Sequence, residues 1–213
     1  MEECITYGFD LFGTFIFALT GAVRGVKHRL DLLGVIVLSC TVGVGGGIVR
    51  DCIIGATPVA ALTNETYLIV CIFTGIAVFT RADWAMKNTH IITFCDAIGL
   101  GVFTALGAAK GISCHLTPIG VVLSGVSTAV GGGVIRDIMV GTVPVVLKSD
   151  FYATASLIGG FLYYALSTRS SLPFFLTFLI VSFAVTGIRL LAFHYHIELP
   201  VAADQYEFPP KKR

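Results

Sequence analysis

Apolar residues along this chain do not alternate with polar ones; they gather into long runs separated by short polar stretches. Runs long enough to cross hydrocarbon as a helix, about 20 residues for ~30 Å, fall at 5–23, 32–49, 66–80, 91–109, 118–135, 152–167 and 172–194. The pattern predicts an all-α membrane protein with seven transmembrane helices, the third and sixth of them short. Between the spans, Arg24, Lys27, Arg29, Arg81, Lys87, Lys148, Lys211, Lys212 and Arg213 lie on one side and only Lys110 and Arg169 on the other. Positive charge stays on the cytoplasmic side, which predicts the N-terminus outside and the C-terminus, with a tail at 198–213, in the cytoplasm.

Sliding the chain by 86 residues superposes Asp10 on Asp96, Gly13 on Gly99, Phe17 on Phe103, Gly21-Ala22 on Gly107-Ala108 and Gly34-Val35 on Gly120-Val121. No gap is needed from residue 10 to residue 59; after one residue drops out, Tyr67 falls on Tyr152 and Gly75 on Gly160. Repeat one covers 5–80, repeat two 91–167, and the helix at 172–194 has no counterpart. Three spans per repeat is an odd number, so the second copy enters the membrane from the opposite side, with a pseudo-two-fold axis in the membrane plane. The whole, 1–213, reads as a single transmembrane domain.

The densest part of the repeat is Gly45-Gly46-Gly47-Ile48-Val49-Arg50-Asp51 and its copy Gly131-Gly132-Gly133-Val134-Ile135-Arg136-Asp137. Each Gly weakens a helix by about 1 kcal/mol relative to Ala, and Arg or Asp at a helix centre in the membrane costs about 2.5–3.5 kcal/mol. Apart from cysteine, these pairs are the only ionisable residues from Leu32 to Leu62 and from Pro118 to Leu147. Either stretch as one straight helix would be about 45 Å long, so a tilt, bend or break is expected, with the triple glycine as its place. A break frees backbone groups that only protein or a water-filled cavity can satisfy. Asp10, Asp96, Arg50, Asp51, Arg136 and Asp137 must pair or touch water; Arg50 and Arg136 are expected to be neutralised by aspartates, a pairing across the repeat axis included, leaving a wet path of slight negative bias. The small hydroxyls Ser39, Thr41, Ser124, Ser127 and Thr128 are candidates to line a wet path. A plainer reading stays open, in which Arg50-Asp51 and Arg136-Asp137 mark the water interface and the glycines serve close helix packing. The pairs Gly21/Gly25 and Gly107/Gly111 belong to helix packing.

Of the 213 residues 55% are hydrophobic and 13% charged, with a mean hydropathy of +0.88; soluble domains carry about 25% charged residues. A net charge of +1 argues against nucleic acid as a partner. Six cysteines are scattered singly, without the spacing of a disulfide framework or a zinc site. No metal, cofactor or catalytic motif stands out: the cluster from Gly43 to Ile48 fails G-x-G-x-x-G at its last position and lacks the strand-turn-helix such a motif needs. Met1-Glu2-Glu3 lacks the positive start of a signal peptide.

Two copies of G-G-G-x-x-R-D followed by G-x-x-P, in inverted three-span repeats with a seventh helix, resemble the prokaryotic TRIC (trimeric intracellular cation) channels. That superfamily also holds bacterial glycine-transporter domain proteins. The likeness runs from about residue 5 to residue 195 and leaves out the tail. It implies a homotrimer in the inner membrane of a prokaryote, with a pore in each protomer for potassium and sodium ions, flanked by Gly45–Gly47 and Gly131–Gly133. Animal members contact a phosphoinositide through a lysine motif on span two, where this chain reads Gly-Gly-Gly-Ile-Val-Arg-Asp, so that regulation is not implied. The residues alone leave a secondary transporter of a small amino acid such as glycine as the alternative.

Overall fold

The computed structural model describes residues 2–87, 89–148, 151–170, 172–195 and 197; His196 and the tail lie outside them. Among the described residues the chain forms α1 (Glu2–Lys27), α2 (Leu32–Ile54), α3 (Ala60–Thr63), α4 (Thr66–Thr80), α5 (Ala82–Lys87), α6 (Thr89–Ser113), α7 (Pro118–Met139), α8 (Val145–Lys148), α9 (Tyr152–Arg169) and α10 (Phe174–His194). Ile5–Lys27, α2, Ile91–Ser113, α7 and α10 are long and apolar enough to cross a membrane, and α4 is a shorter apolar helix. The short α3, α5 and α8 have no period long enough to be read from sequence.

The two repeats start and stop their central helices alike. Asp31 accepts the Gly34 amide at 2.7 Å to cap α2, and Thr117, its counterpart, accepts the Gly120 amide at 3.3 Å to cap α7. A capping oxygen satisfies one of the orphan amides of the first turn. Both segments turn away through a left-handed glycine, Gly55 (φ 71°) and Gly141 (φ 70°), a conformation open to residues without a Cβ.

These stops, rather than a break at the triple glycine, resolve the length problem. α2 and α7 run as unbroken α-helix through Gly45–Gly47 and Gly131–Gly133, and at ~1.5 Å per residue each is about 34 Å long. The glycines sit where α2 and α7 cross. A Cβ on Gly46 would collide with the Thr128 carbonyl oxygen, and one on Gly132 would lie 2.5 Å from the Val42 carbonyl oxygen. Val42 and Thr128 are themselves repeat counterparts, so the pseudo-two-fold axis passes between Gly46 and Gly132. The anticipated break is corrected to a close helix crossing, for which small residues are the general solution in membranes.

Around this crossing α1 packs on α2, α4 and α6, while α6 packs on α7, α9 and α10. Gly21 meets the Leu38 carbonyl as Gly107 meets that of Ser124, which accounts for both small-residue pairs of α1 and α6. At the centre Phe17 and Phe103 face each other with ring centroids 4.9 Å apart. Each ring lies on a glycine of the other repeat, Phe17 on Gly99 and Phe103 on Gly13. Both are buried, and they join the largest apolar cluster.

Candidate functional site

The repeated charges form two clusters at opposite ends of the α2/α7 pair. At the C-terminal end of α2, Arg50 Nε donates to Asp51 Oδ1 at 2.9 Å, and Asp51 Oδ2 accepts the Ala60 amide at 3.2 Å. One carboxylate thus fixes the guanidinium and starts α3. At the C-terminal end of α7 the same device recurs: Arg136 Nε donates to Asp137 Oδ1 at 3.0 Å, and Asp137 Oδ2 accepts the Val145 amide at 2.9 Å, starting α8. All four side chains are buried, and a buried charge is tolerated only when paired and hydrogen-bonded.

The clusters differ in their third member. Arg136 Nη1 reaches Asp96 on α6 at 2.8 Å and Thr20 Oγ1 on α1 at 3.3 Å, and Arg24 approaches Asp137 at 4.0 Å. Asp96 is buried. Asp10, its counterpart, is only half-buried and takes its hydrogen bond from Tyr67 on α4 at 2.8 Å instead; no ion pair joins it to Arg50. Neutralisation is therefore within each repeat, while the contacts from Thr20 and Arg24 cross between them.

That difference coincides with open space. A cavity of about 730 Å³ has Tyr7, Asp10, Arg50, Tyr67, Lys110 and Thr177 among its lining residues. A pocket of about 20 Å³, room for a water, shares Asp10, Arg50, Ala60 and Tyr67 with it and reaches Thr14, Gly47 and Phe103. The space at the α2 end thus comes up against one ring of the Phe17–Phe103 pair. On the far side of that pair, Thr20 is hydrogen-bonded both to the Phe17 carbonyl and to Arg136.

Of the residues singled out from sequence, the structure gathers Asp10, Gly47, Arg50 and Asp51 around the small pocket. It gathers Asp96, Arg136 and Asp137 at the other end. Gly45, Gly46, Gly131 and Gly132 form the helix crossing, and Gly133 lies beside the Tyr152 hydroxyl. Ser39 and Ser124 staple helices, donating to the Cys71 carbonyl at 2.9 Å and the Gly107 carbonyl at 2.7 Å. Thr41, Ser127 and Thr128 donate to carbonyls of their own helices; Thr128 is buried and the other two are half-exposed. Cys40, Cys52, Cys71, Cys95 and Cys114 are free thiols. The sequence reading missed Tyr67, Thr20 and Arg189, whose guanidinium carbon lies 5.0 Å from the Tyr152 ring centroid. The Tyr67/Tyr152 pair in the repeat register was the one available signal for the tyrosines. Arg189, on the helix outside the repeat, is buried.

The family model described as Glycine transporter matches the chain twice, over residues 7–82 and 93–168. A UPF0126 inner membrane protein, YadS of Escherichia coli, is 33% identical over 200 residues, covering 93% of this chain and 97% of that protein. Among solved structures, a TRIC cation channel is 37% identical with a TM-score of 0.83, covering 91% of this chain and 95% of the other. A TRIC channel orthologue from Rhodobacter sphaeroides is 30% identical with a TM-score of 0.86, covering 91% and 99%.

Proposed function

Because this chain belongs to the family that unites prokaryotic TRIC channels with glycine-transporter domain proteins, and is a multi-pass inner-membrane protein, we propose that it is a cation channel. Its cargo is monovalent, mainly potassium and also sodium, and each protomer of a homotrimer holds its own pore. The remaining helices, α4 and α9, complete seven spans, with the N-terminus and the large cavity outside and the end of α10 in the cytoplasm.

One observation carries this reading: the half-buried carboxylate of Asp10 stands in the wall of a wide cavity, held by Tyr67 but not by Arg50. With Arg50 already engaged by Asp51, Asp10 supplies an uncommitted negative charge. Conduction needs binding strong enough to admit an ion and weak enough to release it, and a single carboxylate in contact with water suits a monovalent cation. Beyond it the ring pair Phe17 and Phe103 forms the narrow point of the path, and Arg136, held on Asp96 and Asp137, stands at the inner mouth. The pathway we assign therefore runs by Asp10, Gly47, Arg50 and Asp51 to Asp96, Arg136 and Asp137, with Gly45, Gly46, Gly131 and Gly132 holding the two helices together.

The test is a recording from purified protein in a planar bilayer under a potassium gradient. Discrete unitary currents reversing at the potassium potential are expected. A second reading, a carrier for a small amino acid such as glycine, is favoured by the inequality of the two ends, since inverted repeats in unequal states are the usual basis of alternating access. Saturable glycine uptake in vesicles without unitary current would establish that reading in place of the channel.

A further inference from the structure

We propose that α5, the short helix in the link between the repeats, is a lid. It fills the space at the Asp96 end that stands open as a cavity at the Asp10 end, and it swings away to open that space. The proposal goes beyond the channel reading, and the movement of the lid can be read without any ion current.

The repeat register shows what stands in for the cavity. Ala109, Ile112 and Tyr163 line it, and their counterparts are Val23, Val26 and Val78. Those three valines instead pack in a closed apolar cluster with Ala85 of α5. Two of the three exchanges, Ile112 for Val26 and Tyr163 for Val78, make the side chains of the repeat smaller at this end. Left to the repeat alone, the space here would be no narrower than at the Asp10 end. Ala85, 0% exposed, takes it up. At the other end nothing equivalent to α5 fits, because α9 stops at Arg169, α10 starts at Phe174, and Phe174 itself lines the cavity. The cluster also lies at the assigned path: Val23 and Val26 flank Arg24, which approaches Asp137 beside Arg136.

α5 is weakly held, as a lid must be. Of its 6 residues only Ala85 is buried, and alanine offers the smallest of apolar side chains. So short a helix is not stable by itself, and an element with few buried contacts opens at low free-energy cost. Trp84 and Met86 are exposed, at 42% and 53%, and tryptophan favours the membrane-water interface. A released α5 therefore has the bilayer surface to lie on.

The experiment labels a cysteine placed under the lid, Val23→Cys, and its counterpart in the cavity wall, Ala109→Cys, with a charged, membrane-impermeant methanethiosulfonate. Each is labelled from its own face in sealed vesicles, and modification is read on its own peptide by mass spectrometry. Ala109→Cys is expected to react quickly, and Val23→Cys slowly but to completion. Adding Ala85→Asp puts a charge where an apolar cluster cannot take it. Val23→Cys should then react about tenfold faster or more, the response to about 1.4 kcal/mol of lost docking, with Ala109→Cys unchanged. An unchanged rate at Val23→Cys overturns the lid. So does an equal rise at Val181→Cys, in the core of α10, since the whole fold has then loosened. Should Ala85→Asp fail to assemble, Val23→Cys alone decides: no labelling there while Ala109→Cys is fully modified rejects the proposal. In planar bilayers Ala85→Asp should carry more potassium current than wild type. Faster labelling with no current from either protein removes the channel reading and leaves the lid standing.

Discussion

The guanidinium of Arg136 lies 2.8 Å from the carboxylate of Asp96 and ties α7 to α6. Fold symmetry would place Arg50 on Asp10 in the same way, yet Asp10 is held by Tyr67. Two nearly identical sets of residues thus rest in unequal arrangements within one chain, and the open cavity accompanies the looser one.

The inequality sets an order of stability. Asp96→Asn leaves Arg136 buried with only Asp137 to balance it, and should cost about 2 kcal/mol, the worth of a hydrogen bond to a charged group. Asp10→Asn keeps an oxygen to accept from Tyr67 and leaves no cation stranded, so about 1 kcal/mol is expected. Unfolding in detergent, followed by the loss of helical signal, measures both. Equal losses would mean that the Arg136 pair contributes no more than its looser counterpart.

Adjacent glycines should behave oppositely. A methyl at Gly46 collides with the Thr128 carbonyl and one at Gly132 lies 2.5 Å from the Val42 carbonyl, whereas the nearest atom to a methyl at Gly47 is an Arg50 nitrogen at 3.8 Å. Gly46→Ala and Gly132→Ala should therefore part α2 from α7 and reduce the yield of folded protein. Gly47→Ala should be tolerated and gain up to about 1 kcal/mol of helix propensity. Size-exclusion profiles and melting temperatures of the three variants decide this; a destabilised Gly47→Ala would restore a bend at that residue as the reason for the glycine.

Asp51 and Asp137 each serve a guanidinium and the first amide of a short helix. In Asp137→Asn the one remaining carbonyl oxygen cannot reproduce both roles, and loss of a cap costs about 1 kcal/mol. Hydrogen exchange should speed up at the Val145 amide in this variant, and at Ala60 in Asp51→Asn, without a matching change in the middle of α6. Exchange that rises evenly across the protein would indicate global destabilisation instead.

In the pathway proposed above, the ring pair is the constriction. Phe103→Leu keeps an apolar side chain of moderate volume but removes one face of the 4.9 Å contact, so the fold should survive with a loss of about 1–2 kcal/mol. Unitary potassium conductance should rise. A conductance equal to wild type in both Phe103→Leu and Phe17→Leu would move the constriction away from these rings.

Much of this molecule is written locally, because local rules produced it. Apolar run length sets the spans, the 86-residue register shows the inverted repeat, and Asp31, Thr117, Gly55 and Gly141 start and stop α2 and α7 by capping and left-handed geometry that depend on near neighbours. The sequence also marks Asp10, Asp96, Arg50 and Arg136 as charges in need of partners. Which partners they take was decided only on folding. Thr20 and Arg136 are 116 positions apart, Asp10 and Tyr67 are 57 apart, and Arg189 comes from a helix outside the repeat. The glycine triples likewise became a crossing rather than a break, since whether a small residue admits a neighbouring backbone or bends its own depends on what packs against it. Equivalent residues settle differently because each buried charge takes the nearest group that satisfies it, and a chain with one unrepeated helix offers its two ends unequal choices.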